Sequence, residues 1–250
     1  MHWGQIYVCN PTSQQQLKLP DPPCVSFKSG AHVGFGYVPS KNVYKVVDFF
    51  SAEPKSGKGC MVFTLHDGGG NSGAWRVIAD CPNIPTGSWC SRFACVNGTL
   101  YWRVLRQSYG GTRPNIAAFD LGEEKFRMIQ YPQGHLDDYG GDMDYLIELE
   151  GFLCLVKSFR CKIMDIWMLK DQVWVKEYSI DFSSLGAISV LCHTPLDVRD
   201  GEILFKESQG DLLHYNIQSE SFRRTTRLFC NGRFGSPFLY FDNLFSLGSS

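Results

Sequence analysis

The stretch Val96-Asn97-Gly98-Thr99-Leu100-Tyr101-Trp102 decides the fold class. Asn-Gly suits the two positive-φ positions of a two-residue turn, and the alternation after it suits a strand with one buried face. The pattern returns as Glu150-Gly151-Phe152-Leu153-Cys154-Leu155, and again as Asp200-Gly201-Glu202-Ile203-Leu204-Phe205. The three glycines stand 53 and then 50 residues apart. A recurring period of this length is the mark of a repeat architecture.

A second hairpin follows each of these. An aromatic residue is followed seven positions later by another, as Phe119 and Phe126, Trp167 and Trp174, Tyr215 and Phe222. Polar turn residues separate the members, and the spacing predicts both rings on one sheet face of neighbouring strands. One unit therefore reads strand, turn, strand, longer link, strand, turn, strand. Four strands in about 45–50 residues is the signature of a propeller blade.

Looser copies precede these units. Residues Ala31 to Ile78 carry strand patterns around Gly34-Phe35-Gly36-Tyr37, Tyr44 to Phe50, Met61 to Leu65 and Trp75 to Ile78. Lys55 to Gly59 and Gly68 to Gly73 read as hairpin loops. Gln5 to Asn10 and Gln16 to Leu19 supply two strands, and Phe238 to Leu247 one more. Both termini are expected to complete one blade, which removes exposed edges. The expectation is a single all-β domain over residues 1–250, a propeller-like ring of about five to six four-stranded sheets. The first blade is expected to be incomplete. The alternative is a β-sandwich whose hairpins resemble one another by chance.

Composition agrees with a folded β domain. The chain has 250 residues, 44% hydrophobic and 20% charged, enough for a buried core. Aromatics reach 14%, and rings suit a pleated, half-buried surface. The net charge of −1 offers no basic excess to displace counterions from a nucleic-acid backbone, so no nucleic-acid role is expected. No export signal is evident, and no stretch approaches the ~20 apolar residues that span a bilayer. The chain is therefore expected in the cytoplasm or nucleus, with no membrane partner, and its ten cysteines mostly as free thiols.

Chemistry-bearing patterns are weak. Asp67-Gly68-Gly69-Gly70-Asn71 lacks the Lys-Ser/Thr end of a phosphate loop. Cys81, Cys90 and Cys95 are nine and five apart, wider than paired zinc ligands. His135, Asp137, Asp138, Asp142 and Asp144 do not follow a calcium-loop order. No Gly-x-Ser-x-Gly elbow is present. The expectation is a non-enzyme with no catalytic residue, metal or cofactor.

The motifs resemble, as an ordered set, the associated domain that follows the F-box in plant F-box proteins. "NPTSQQQLKLP" (Asn10 to Pro20) is similar to that family's opening. "GFGYVPSKNVYKVV" (Gly34 to Val47), "WRVI" (Trp75 to Ile78) and "VNGTLYW" (Val96 to Trp102) resemble its next blocks. "AAFDLGEEKFRMI" (Ala117 to Ile129), "LIELEGFLCLV", "DIWMLKD" and "FLYFDNLFSL" resemble those that follow. The resemblance implies a kelch-like, substrate-capturing module of a Skp–cullin–F-box ubiquitin ligase. One departure is that only nine residues precede Asn10. These 250 residues carry no F-box and are expected not to bind the Skp adaptor directly.

Three functions remain open at this point. One is a module that binds a protein substrate or partner through loops on a rigid sheet scaffold. The second is a truncated or inactive remnant, and the third is a sugar-processing propeller enzyme, which needs convergent carboxylates or metal ligands. For the first, the links between hairpins are the candidate surface. Arg106, Tyr109 and Arg113 form a basic, aromatic link, and His135 and Tyr139 sit in an acidic one. Tyr and Arg dominate interface energetics, and equivalent links of successive blades emerge on one face. Tyr109 and Arg113 are the expected anchors of a site for an unknown protein. The competing reading has Arg106 and Arg113 merely pairing with Asp137, Asp138 or Asp142 as exposed salt bridges.

Overall fold

Among its described residues the computed structural model holds eighteen strands, two short 3-10 turns and no α-helix. Those residues are 5–22, 33–51, 58–67, 73–78, 81, 93–104, 115–132, 144–159, 162–185, 193–207, 211–225 and 245–247. The chain divides into two compact units, Met1–Asp137 with Asp242–Ser250, and Asp138–Phe241.

The first unit holds three sheets. Strands β1 (Tyr7–Asn10) and β2 (Gln15–Lys18) form a two-stranded sheet. Strands β3 (Val33–Val38), β4 (Val43–Ser51), β5 (Lys58–His66) and β6 (Arg76–Ile78) form a four-stranded one. So do β7 (Ala94–Val96), β8 (Thr99–Val104), β9 (Asn115–Asp120) and β10 (Lys125–Gln130). The second unit holds two four-stranded sheets. One is β11 (Tyr145–Leu149), β12 (Phe152–Phe159), β13 (Ile163–Lys170) and β14 (Val173–Asp181). The other is β15 (His193–Arg199), β16 (Glu202–Glu207), β17 (Leu212–Asn216) and β18 (Ser221–Thr225). In every sheet consecutive strands pair antiparallel, so each is a meander made from one sequence repeat. Five separate sheets rule out the two-sheet sandwich. Among the described residues four of them are four-stranded, and the two-stranded one stands at the start of the chain, where an incomplete blade was expected.

The turns explain the repeat. Asn97 and Gly98 have φ of 48° and 73°, Glu150 and Gly151 52° and 80°, Asp200 and Gly201 52° and 77°. Each is a two-residue turn with both residues left-handed, whose twist matches the flanking strands. The outer hairpins β9–β10 and β17–β18 use a longer turn of four residues. In it the Asp120 or Asn216 side chain accepts a hydrogen bond from a backbone N–H two or three residues on, at 2.8–2.9 Å. Such side chains mimic a backbone turn. Asn10 does the same for Thr12 N at 3.1 Å, and β1–β2 thereby has the form of an outer hairpin.

The aromatic pairs lie on neighbouring strands, with one difference. Phe119 stands directly opposite Phe126 and Tyr215 opposite Phe222, with ring centroids 4.6 and 4.9 Å apart. Trp167 instead faces Lys176, and Trp174 faces Leu169. The turn there has two residues, Asp171 and Gln172, so the same spacing of seven gives a diagonal pair. One loop assignment and one strand assignment also shift. Lys58 and Gly59 belong to β5, paired with Ser51 and Phe50. Residues 245–247 are not a strand, and 238–244 lie outside the described residues.

Three apolar clusters hold the units. In the second unit, Cys154, Val156, Ile166 and Met168 pack with Phe182, Ile203, Phe205 and Leu213, joining its two sheets. In the first, Val47, Phe49, Cys60 and Val62 meet Leu100, Trp102, Phe119 and Leu121. The third buries Val8, Leu17 and Leu19 against Phe63, Leu65, Phe245 and Leu247. Phe245 and Leu247, from the last described segment, belong to it. Asn10 Nδ2 donates to Phe245 O at 2.8 Å, and Leu247 N donates to Gln15 Oε1 at 2.9 Å. The segment 245–247 thus docks on the β1–β2 hairpin.

Candidate functional site

The sheet β7–β10 has two ends, one carrying the tight first turn and the outer turn, the other the link between β8 and β9 and the chain leaving β10. The turn end is used structurally in the sheet β7–β10. Lys45 of β4 is buried and donates to Leu121 O and to Glu124 Oε1, the latter at 2.6 Å. Arg76 of β6 grips both oxygens of the same carboxylate. The Arg76 guanidinium first, and Lys45 after it, hold the Glu124 carboxyl down at about 2. This ion cluster ties the β9–β10 turn to the sheet β3–β6.

The link end is where the sequence places its candidate residues. Arg106, Tyr109 and Arg113 fall between β8 and β9, His135 and Tyr139 between β10 and β11. All five lie outside the described residues, as do Asp137, Asp138 and Asp142. The residues that flank them are described. Val104, the last of β8, pairs with Asn115, the first of β9, and Asn115 pairs with Gln130, the last of β10. These three form one row across the sheet. The chain therefore leaves β8, enters β9 and leaves β10 side by side, at a single sheet end.

Two half-buried residues at that end escaped the reading of the sequence. Arg103 Nε donates to Tyr131 OH at 2.7 Å, bridging the end of β8 to the residue after β10. One turn of the pleat earlier, Arg127 donates to Tyr101 OH at 3.4 Å. The signal available was an Arg following Tyr-Trp at a strand end, but nothing in sequence spacing links it to Tyr131. On the opposite face, Trp102 is buried edge-on against Phe49, with centroids 4.8 Å apart.

In the second unit the link end of β15–β18 carries a different polar group. His193, with a fully buried side chain, shares a hydrogen bond with Glu207 Oε1 at 3.0 Å. Arg224 donates to the same oxygen at 3.1 Å, and Tyr145 OH donates to His193 O at 3.2 Å. A carboxylate shared by an arginine and an imidazole is a positioning device for strand ends. Among the described residues no group of three or more His, Cys, Asp or Glu is placed to hold a metal ion. No helix among them is long and apolar enough to cross a membrane.

A family model described as the F-box associated beta propeller domain matches residues 2–228 of this chain. Among curated proteins, the Arabidopsis thaliana F-box protein At5g49610 is 27% identical over 241 residues, covering 87% of this chain and 61% of its own length. The Arabidopsis thaliana F-box protein DOR is 31% identical over 176 residues, covering 68% of this chain and 41% of its own length. The chain thus spans about two fifths to three fifths of the length of these relatives. Among solved structures, the exo-beta-1,3-galactanase from Phanerochaete chrysosporium aligns over 88% of this chain and 53% of that one, with 12% identity and a TM-score of 0.40. That likeness is too distant to bear on activity.

Proposed function

This chain belongs to the F-box associated beta propeller domain family, and from that premise we propose that it recognises the protein substrate of a Skp–cullin–F-box ubiquitin ligase. It acts as a single binding domain in the cytoplasm or nucleus and catalyses no reaction itself. The observation that carries this reading is the row Val104, Asn115, Gln130. A basic, aromatic link and an acidic link both start from that one sheet end. Tyr109 and Arg113 are the anchors in this proposal, with Arg106, His135 and Tyr139 around them. Large side chains that combine contact area with polar reach concentrate binding energy. The Skp adaptor is not a partner of these residues in this reading; the family segment matched here is the associated region.

The test compares the tagged chain with its Tyr109→Ala, Arg113→Ala double variant. Proteins retained from a plant extract are identified by mass spectrometry, and circular dichroism checks that the variant is folded. The strongest specific partner of the parent chain is then purified and titrated. Loss of two interface anchors should weaken its binding at least ~30-fold. Equal affinity for the two chains would remove these residues from the site. Binding of purified Skp adaptor to the parent chain would overturn the assignment of partners.

A further inference from the structure

Strand β14 is the edge of its sheet and pairs with β13 alone among the described residues. An unpaired edge offers a row of backbone donors and acceptors to another strand, and proteins blunt such edges with short strands or charges. The last strands of the other four-stranded sheets are blunted in this way. Strand β6 has three residues, β10 carries Lys125 and Arg127, and β18 has five residues with Arg223 and Arg224 among them. Strand β14 has nine residues and opens with Val173 and Val175, which are 61% and 41% exposed. We propose that β14 pairs antiparallel with β14 of a second copy of this chain, about a two-fold axis at Val175, joining two four-stranded sheets into one of eight strands.

The turn and a bulge fix which residues take part. Asp171 and Gln172, with φ of 48° and 65°, form the turn before β14. Further on, Lys176 faces Trp167 and Tyr178 faces Ile166, so Glu177 is the extra residue of a bulge. The regular run is therefore Val173 to Glu177, five residues centred on Val175. Two-fold pairing at that centre uses the whole run. It sets each Val175 opposite the other, each Val173 opposite the other copy's Glu177, and each Trp174 opposite the other copy's Lys176. Charge selects this register, because like charges directly across a ladder are destabilising. An axis at Lys176 or Glu177 would place that charge against its own copy. An axis at Val173 or Trp174 would run the ladder into the turn, and at Trp174 it would set Glu177 against Asp171. With the axis at Val175 no like charges meet. The charges of the run already have partners inside one chain, which pairing leaves in place. Lys176 Nζ lies 2.7 Å from Asp165 Oδ2 and 5.4 Å from the centre of the Trp167 ring, and Lys170 Nζ lies 2.6 Å from Glu177 Oε2. The same surface serves both copies, so association closes at two chains and does not extend into a filament.

Sedimentation velocity on the purified chain, at loading concentrations up to hundreds of micromolar, should show a reversible rise towards the mass of two chains. Val175→Lys puts like charges at the axis from an exposed position. It should abolish the rise while circular dichroism stays that of the parent. The register is read by cross-linking with bismaleimidoethane, which joins thiols held close together. Val175→Cys chains should link to each other, and the tryptic peptide 171–176 should be recovered joined to its own copy. Val173→Cys chains, whose new thiols would stand about 13 Å apart along the ladder, should link far more slowly. A parent chain that stays monomeric throughout would overturn the proposal. So would a Val175→Lys variant that dimerises like the parent, or faster linking of the Val173→Cys chains than of the Val175→Cys chains.

Discussion

Gly98 shows how a single position governs a repeat. Its φ of 73° lies where a β-branched residue is strained, and an added Cβ would stand 3.3 Å from Tyr37 O. Replacing it with Val should destabilise the fold by about 1–3 kcal/mol. Chemical denaturation reads this, and an unchanged midpoint would mean the turn tolerates the branch. Gly151 and Gly201 share the left-handed backbone but have nothing within 4 Å of an added Cβ, so their role is conformational alone. Gly36 is the converse. Its backbone is ordinary β, yet a Cβ would lie 2.5 Å from Leu121 Cδ1 and 2.6 Å from Cys95 Sγ. Here any larger residue would have to displace the Leu121 and Cys95 side chains of the neighbouring sheet, a reason the sequence Gly-Phe-Gly does not state.

At the scale of an element, the β9–β10 turn joins two sheets through one carboxylate. Glu124 has a left-handed φ of 57° and sits between Lys45 and Arg76. Glu124→Gln should cost about 1–2 kcal/mol at neutral pH, less than a fully buried pair, because Arg76 is solvent-screened. The sign of the pH dependence follows from the depressed carboxyl. Its contribution is complete above the ordinary value of 4.5 and is lost as pH falls towards about 2. The gap in denaturation midpoint between parent and variant should therefore be full at pH 7 and shrink through that window. A gap independent of pH would show that the carboxylate charge is not what holds the turn. The turn itself was legible, since Gly122, Glu123 and Glu124 separate two strand patterns. Its partners were not, because Lys45 is 79 residues away.

For the whole molecule, the decisive long-range contact joins the two ends of the chain. Asn10 caps its own turn through Thr12 and also donates to Phe245, 235 residues later. Asn10→Ala removes both hydrogen bonds in a buried setting and should cost about 1–3 kcal/mol. Amide hydrogen exchange at Phe245 to Leu247 should accelerate more than at Leu213 in the other unit. Uniform acceleration would mean that the segment is held by its apolar contacts instead. The termini were expected to share a blade; that one asparagine performs both tasks was not.

The sequence by itself determined the local grammar of this protein. Strand lengths, the left-handed two-residue turns at Gly98, Gly151 and Gly201, and the four-strand period all arise from backbone sterics and side-chain alternation within a few residues. Where a strand is buried on both faces, as in β9 with Ile116, Ala117, Ala118 and Phe119, alternation disappears and only its place in the repeat identifies it. Tertiary structure alone decided which groups meet across the chain. The Glu124 ion cluster, the Arg103–Tyr131 bridge and the diagonal Trp167–Trp174 offset depend on register and sheet packing. Those are set by contacts between residues far apart in sequence, and no local pattern encodes the distance between them.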